Sequence, residues 1–229
     1  MKWLTPDGIV AALGVGAAMC WGLGWRGAVL LFAFFISGSL LTQFATGRGG
    51  RRNARQVIAN GGAAAVGALF GSWPVAAGAL AAAAADTWAT EFGSFSPMSP
   101  RLITSWTRVP RGTSGGITAV GTAGGFAGAF AIATLAHLLP GPREAAPDFF
   151  VIAAAGIAGM LADSFLGATR QGVYECSACA ARSERAATIC HEPVRLIRGW
   201  RWLDNDTVNL AATLVGAGIG VLGARLSSQ

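Results

Sequence analysis

The chain has 229 residues, of which 53% are hydrophobic and only 12% charged, with 33 glycines and a formal net charge of +6. A soluble domain carries about 25% charged residues, and the charges here cluster between apolar runs of roughly the 17–25 residues that a spanning helix needs. This excludes a soluble globular enzyme. It also excludes a nucleic-acid-binding role for the excess charge, because the basic residues sit in short loops, where they orient spans and attract lipid or nucleotide phosphates.

In chain order the apolar runs predict seven spans, at 7–23, 27–46, 56–71, 74–92, 115–139, 149–169 and 205–224. The expected fold is all-α: one polytopic transmembrane domain covering 1–229. A tight turn is expected at Gly24-Trp25-Arg26, and a polar Cys/His-containing loop at 170–204. The third span, QVIANGGAAAVGALFG, is short and glycine-rich, so a tilted or re-entrant segment also fits it. Met1-Lys2-Trp3 carries one positive charge and no small-residue cleavage site follows, so no signal peptide is expected. Cys20 lies in an apolar run and is expected in the core.

With seven alternating spans, only Arg26, Arg143 and Arg225 of the 17 lysines and arginines fall on one side. Positive loops stay inside, so the N-terminus is expected in the cytoplasm and the C-terminus outside. Small residues crowd the spans, which points to close helix packing in lipid.

Four of the eleven acids, Asp86, Glu91, Asp163 and Asp206, stand within or at the ends of spans, all toward the expected cytoplasmic end. Asn60 lies about one turn into span three from that side. Asp206 and Asn209 share a helix face at a separation of three. Asp86 and Glu91, five apart, converge only if the helix unwinds or Glu91 lies in its exit turn. Ala85-Asp86-Thr87 and Ala162-Asp163-Ser164 are a weak internal echo, consistent with two acids facing each other across a pseudo-symmetric site and equally with coincidence.

Acids bordering a membrane span are costly and so mark candidate sites. One or two carboxylates plus substrate phosphates suffice to hold Mg²⁺, with Arg101, Arg108 and Arg111 on the remaining phosphate oxygens. The run Gly112-Thr113-Ser114-Gly115-Gly116 would offer backbone N–H groups at the start of span five. The alternative is that the acids pair with loop arginines and only brace the helices.

These residues also carry a resemblance. RNARQVIANGG at 52–62, ADTWATEFG at 85–93, PRLIT at 100–104, VPRGTSGG at 109–116, ADSFLGAT at 162–169 and LDNDTVN at 203–209 resemble the integral-membrane family that includes plant phytyl-phosphate kinase and the animal transmembrane protein 19. The similarity runs from about residue 30 to 215. Two departures touch lipid choice: the N-terminal spans look shortened, and the loop at 46–51 has arginine where a lysine-rich stretch is expected. The resemblance implies a CTP-dependent kinase that converts an isoprenoid monophosphate, such as phytyl phosphate, into the diphosphate. On that reading Asp86 and Glu91 bind nucleotide and Mg²⁺, with Asp163 as a further metal ligand. Asp206 and Asn209 complete the shell, and Arg101, Arg108 and Arg111 neutralise phosphates. Thr113, Ser114, Gly115 and Gly116 cradle the nucleotide, and Asn60 orients a phosphate. The rivals are a nucleotidyl- or phosphoalcohol-transferase on CDP-linked lipid and a cation-coupled transporter.

In the last polar loop Cys176 and Cys179 are followed by Cys190-His191. Three thiols and an imidazole make a possible tetrahedral set for structural Zn²⁺; reduced thiols or a redox switch also fit.

Overall fold

The computed structural model describes residues 3–46, 51–139, 148–179, 181–184 and 193–226. Among these it has six helices: α1 (Pro6–Thr46), α2 (Ala54–Leu69), α3 (Trp73–Ser94), α4 (Ala119–Leu138), α5 (Phe149–Thr169) and α6 (Asn205–Leu226). Two small sheets lie in the loops. β1 (Arg101–Leu102) pairs with β2 (Gly116–Ile117), and β3 (Val173–Cys176) is flanked by β4 (Arg182–Ser183) and β5 (Val194–Arg198). The protein is an all-α polytopic membrane protein, with strands in the connections between its helices.

The span count differs from the expected seven. The first two expected spans are present as the two limbs of α1, which breaks within the expected turn at Gly24, whose φ of 66° and ψ of −159° leave the helical region. That φ suits glycine, which has no Cβ to clash. The chain folds back there. A Cβ on Gly27 would lie 2.7 Å from the Met19 carbonyl oxygen, whereas eight residues of straight helix span about 12 Å. The rings of Trp3 and Phe35 meet at 5.9 Å, closing the two limbs.

Four helices, α1, α4, α5 and α6, are long and apolar enough to cross a membrane. At 16 residues α2 reaches only about 24 Å, short of the roughly 30 Å hydrocarbon core. Helix α3 is the centre of the bundle, and from Trp73 to Ala85 only Val75 is not fully buried. A helix that is apolar all round belongs inside, and its alanines let neighbours approach closely. At the crossing with α6, a Cβ on Gly78 would come within 2.4 Å of the Gly216 carbonyl oxygen.

Large apolar side chains point outward, among them Val10, Leu13, Phe32, Phe44, Phe150 and Leu222. A belt of that kind is expected of a surface that meets lipid tails. Cys20 is exposed on this outer surface rather than in the core, because a lone thiol is apolar enough to face lipid. Trp73 is fully buried and its indole N–H donates to the Ala136 carbonyl at 3.0 Å. The Thr213 hydroxyl ties α6 to α2 at the Ala59 carbonyl, 3.0 Å away.

Candidate functional site

Helices α3 and α5 both end on the same rim of the bundle, and about two turns before each end stand Asp86 and Asp163. Their carboxyl groups lie within hydrogen-bonding reach of each other, and Glu184 lies within Coulombic range of Asp163. Asp163 Oδ2 is buried with no hydrogen-bond partner. Two acids in contact, screened from water, need a shared proton or a cation between them.

The loop between α3 and α4 closes over this pair. Gly115 has a φ of 76°, and an added Cβ would sit 2.5 Å from Ser164 and Ala168 backbone, so only glycine lets the loop lie flat on α5. Beside it the Ser114 hydroxyl donates to Glu184 Oε1, and the buried Gln171 amide donates to Glu184 Oε2 at 3.1 Å. Span five was expected from 115. The helix starts at Ala119 instead, because Thr118 caps it through Gly121 N–H while Gly116 pairs in the β1–β2 hairpin. The N–H of Gly116 turns back to the Thr113 carbonyl at 2.9 Å, and the Thr113 hydroxyl donates to the Pro110 carbonyl at 2.8 Å. The run 112–116 thus builds a turn against α5 rather than the first turn of α4.

Glu91 goes elsewhere. Helix α3 continues to Ser94, and five residues of helix rotate a side chain by about 140°, away from Asp86. Glu91 Oε1 takes the Thr42 hydroxyl at 2.5 Å and faces Arg52. Arg52 is half-buried, donates to the Ser39 hydroxyl at 3.4 Å and lies over the rings of Phe34 and Phe35. Burial lowers the Arg52 guanidinium from its ordinary range, and the Glu91 charge opposes that shift. Among the described residues no group of three or more His, Cys, Asp or Glu gathers closely enough for a metal ion.

The loop arginines hold main chain. Arg111 donates to the Ser94 and Ser96 carbonyls at the end of α3, and Arg101 donates to the Trp106 carbonyl at 2.7 Å. Arg108 is exposed and bridges Arg101 through the backbone. Asn60 is half-buried and donates to the Gln56 carbonyl one turn back, at 2.9 Å. Asn209 is half-buried on α6, one turn before Thr213.

Asp206 belongs to a second polar group. Arg55 contacts Asp204 at 2.8 Å and Asp206 at 3.8 Å. Burial raises the Asp204 carboxyl, but hydrogen bonds from the Thr207 N–H and hydroxyl, with Arg55 beside them, outweigh it and hold it below the usual carboxylate range. Arg55, Asp204 and Asp206, with Asn53, Tyr174, Glu184 and Arg201, line a pocket of about 480 Å³. The sequence expectations had omitted Arg52, Arg55, Gln171, Glu184 and Arg201. Arg52 and Arg55 lie inside the 52–62 motif, which was a usable signal; Glu184 and Arg201 look like any polar loop residues.

Cys176 is buried at the end of β3 and Cys179 is exposed in the turn that follows, closed by the Cys176 N–H on the Ala181 carbonyl at 2.9 Å. Cys190 and His191 lie outside the described residues.

Comparison with known proteins agrees with the membrane architecture. The family model described as integral membrane protein DUF92 matches residues 1–217. An uncharacterized membrane protein of Methanocaldococcus jannaschii is 32% identical over 239 residues, covering 96% of this chain and 86% of that protein. Protein PGR of Arabidopsis thaliana is 31% identical over 233 residues, covering 84% of this chain and 79% of its own. Protein VTE6, chloroplastic, from the same plant is 25% identical over 241 residues, 96% of this chain and 65% of that protein. No solved structure matches the chain. With nearly its whole length matched, the chain belongs to the DUF92 family of integral membrane proteins, the family its motifs resemble.

Proposed function

We propose that the protein is a CTP-dependent kinase of isoprenoid monophosphates at the cytoplasmic face of the membrane. It moves the γ-phosphoryl group of CTP onto the terminal phosphate of phytyl or polyprenyl phosphate, leaving CDP and the isoprenoid diphosphate. The observation that carries the reading is the facing pair Asp86 and Asp163 at one rim of the bundle, with Asp163 Oδ2 buried and unpartnered. The resemblance of the surrounding motifs to the phytyl-phosphate kinase family supports the substrate class.

The pair suits Mg²⁺, a hard cation that takes one or two carboxylates and fills its shell with water and substrate phosphates. Held there, Mg²⁺ would supply charge neutralisation for the transferring phosphoryl group. Asp86 and Asp163 are the carboxylates that would hold the ion, and Glu184, held by Ser114 and Gln171, stands beside them. Glu91 serves as a positioning residue for Arg52, which offers a guanidinium to the lipid phosphate. Arg101 and Arg111 order the loop that presents Ser114, and Asn60, Asp206 and Asn209 complete the polar lining. An ionised phosphate acceptor needs no general base, in keeping with the only histidine described, His137, lying in the last turn of α4 at the other end. Cys176 and Cys179, with Cys190 and His191, would hold a structural Zn²⁺ that pins the sheet below the site.

The test is purified protein with phytyl phosphate, Mg²⁺ and CTP labelled in either the α- or the γ-phosphate. Labelled isoprenoid diphosphate from the γ-label alone is expected. Lipid labelled from the α-phosphate would make the protein a nucleotidyltransferase on lipid. Nucleotide-independent ion flux in proteoliposomes, with no transfer, would make it a transporter.

A further inference from the structure

The starts of α2 and α6 and the sheet β4-β3-β5 enclose the 480 Å³ pocket, and its place relative to the acid pair gives it a use. Its volume falls in the range of small-molecule sites, about 300–1,000 Å³. One wall is Arg55, steered by Asp204 and Asp206, and another is the exposed Arg201. The inner wall is Glu184, which also stands within Coulombic range of Asp163. Glu184 is therefore the partition between this pocket and the Asp86–Asp163 pair.

The charges decide what form of ligand fits. Three carboxylates, Glu184, Asp204 and Asp206, face two guanidinium groups, Arg55 and Arg201. A bare triphosphate would meet net repulsion, whereas its magnesium complex brings less negative charge. Guanidinium groups bind phosphate oxygens through a planar fork, and a carboxylate accepts from an exocyclic amine such as cytosine N4.

We propose that this pocket seats the donor nucleotide as its magnesium complex. Arg55 and Arg201 hold the phosphate oxygens, and the phosphate chain passes Glu184 toward Asp86 and Asp163. This rests on the phosphoryl-transfer reading and adds where the donor lies, on the α2–α6 side, away from the arginines of loop 95–118.

The test uses the full chain in detergent micelles with photoreactive azido-CTP, Mg²⁺ and unlabelled CTP as competitor. Saturable labelling is expected to map to 172–176 or 199–206. Arg201→Ala should weaken it about tenfold or more, the loss of one charge-assisted contact. Arg201→Lys should fall between, and neither should shift the melting temperature, because the side chain is exposed. Label on 101–117 with Arg201→Ala binding as well as the parent would overturn the pocket and leave a nucleotide-using enzyme. No saturable labelling of folded protein would overturn both.

Discussion

The Glu91 carboxylate takes a hydrogen bond from the Thr42 hydroxyl at 2.5 Å, joining the end of α3 to the second limb of α1. Glu91 is thus committed to holding helices and Arg52 together, while Asp163 keeps an oxygen in reserve. Glu91→Gln is expected to lower the melting temperature and cut transfer less than about tenfold. Asp163→Asn should cut transfer by about 10² or more, as when an electrostatic stabiliser of a transition state is lost. Its melting temperature should hold or rise, since an amide can donate to Asp86 in place of a like charge. Equal losses of turnover per folded molecule in both variants would remove the distinction.

Asp204 makes stability depend on pH in one direction. Its folded carboxyl titrates below the unfolded one, near 3.9, because Thr207 and Arg55 outweigh the cost of burial. Its contribution is therefore complete above about pH 4 and is lost as the pH falls through the lower, folded value. Melting curves of parent and Asp204→Asn should differ by a constant amount from pH 5 to 7 and converge below pH 4. A gap that widened on acidification would contradict the sign.

At the α3–α6 crossing there is no room for a side chain, since a Cβ on Gly78 would approach the Gly216 carbonyl oxygen to 2.4 Å. Gly78→Val should cost about 1–3 kcal/mol or more, the range for overpacked cores. Gly14→Ala, where an added Cβ meets nothing within 4 Å, is the matched control. Thermal unfolding in detergent reads both, and a neutral Gly78→Val would mean the helices slide apart freely.

The distribution of charge predicts the topology. Single cysteines at positions 51 and 108, in a background lacking the native four, should react with an impermeant thiol reagent only in inside-out vesicles. One at position 26 should react only from outside. Labelling of 51 and 108 from opposite faces would break the shared rim on which the site depends.

Helix extents were readable where a single cause acts. The 149–169 segment is apolar apart from Asp163, Ser164 and Thr169, and is α5 at those same residues. Near-continuous burial of α3 was implicit in its alanines, which have no polar face to show to water or headgroups. The paired acids were foreshadowed by the Ala-Asp-Thr and Ala-Asp-Ser echoes, one on each of two helices that end on the same rim. What local pattern could not reveal was where α3 ends. At a spacing of five, Glu91 could join Asp86 only if the helix unwound or ended first, and α3 instead runs unbroken to Ser94 and carries it to another flank. The loop arginines looked like phosphate ligands, and only the fold shows Arg101 and Arg111 spending donors on carbonyls. Glu184 came from a strand turn whose pairing depends on β3 and β4 meeting in space.

The central place of α3 also constrains how the protein is made. Alanine gains little from lipid, and the neighbours that bury Trp73–Ala85 include α4, α5 and α6, all of which leave the ribosome later. During synthesis the burial of α3 is therefore completed only when nearly the last residues have emerged. A chain stopped after Leu138 is accordingly expected to leave α3 open to protease, and the same helix in the complete chain is expected to be resistant. Protection of α3 in the truncated chain would show that α1, α2 and α4 suffice to enclose it.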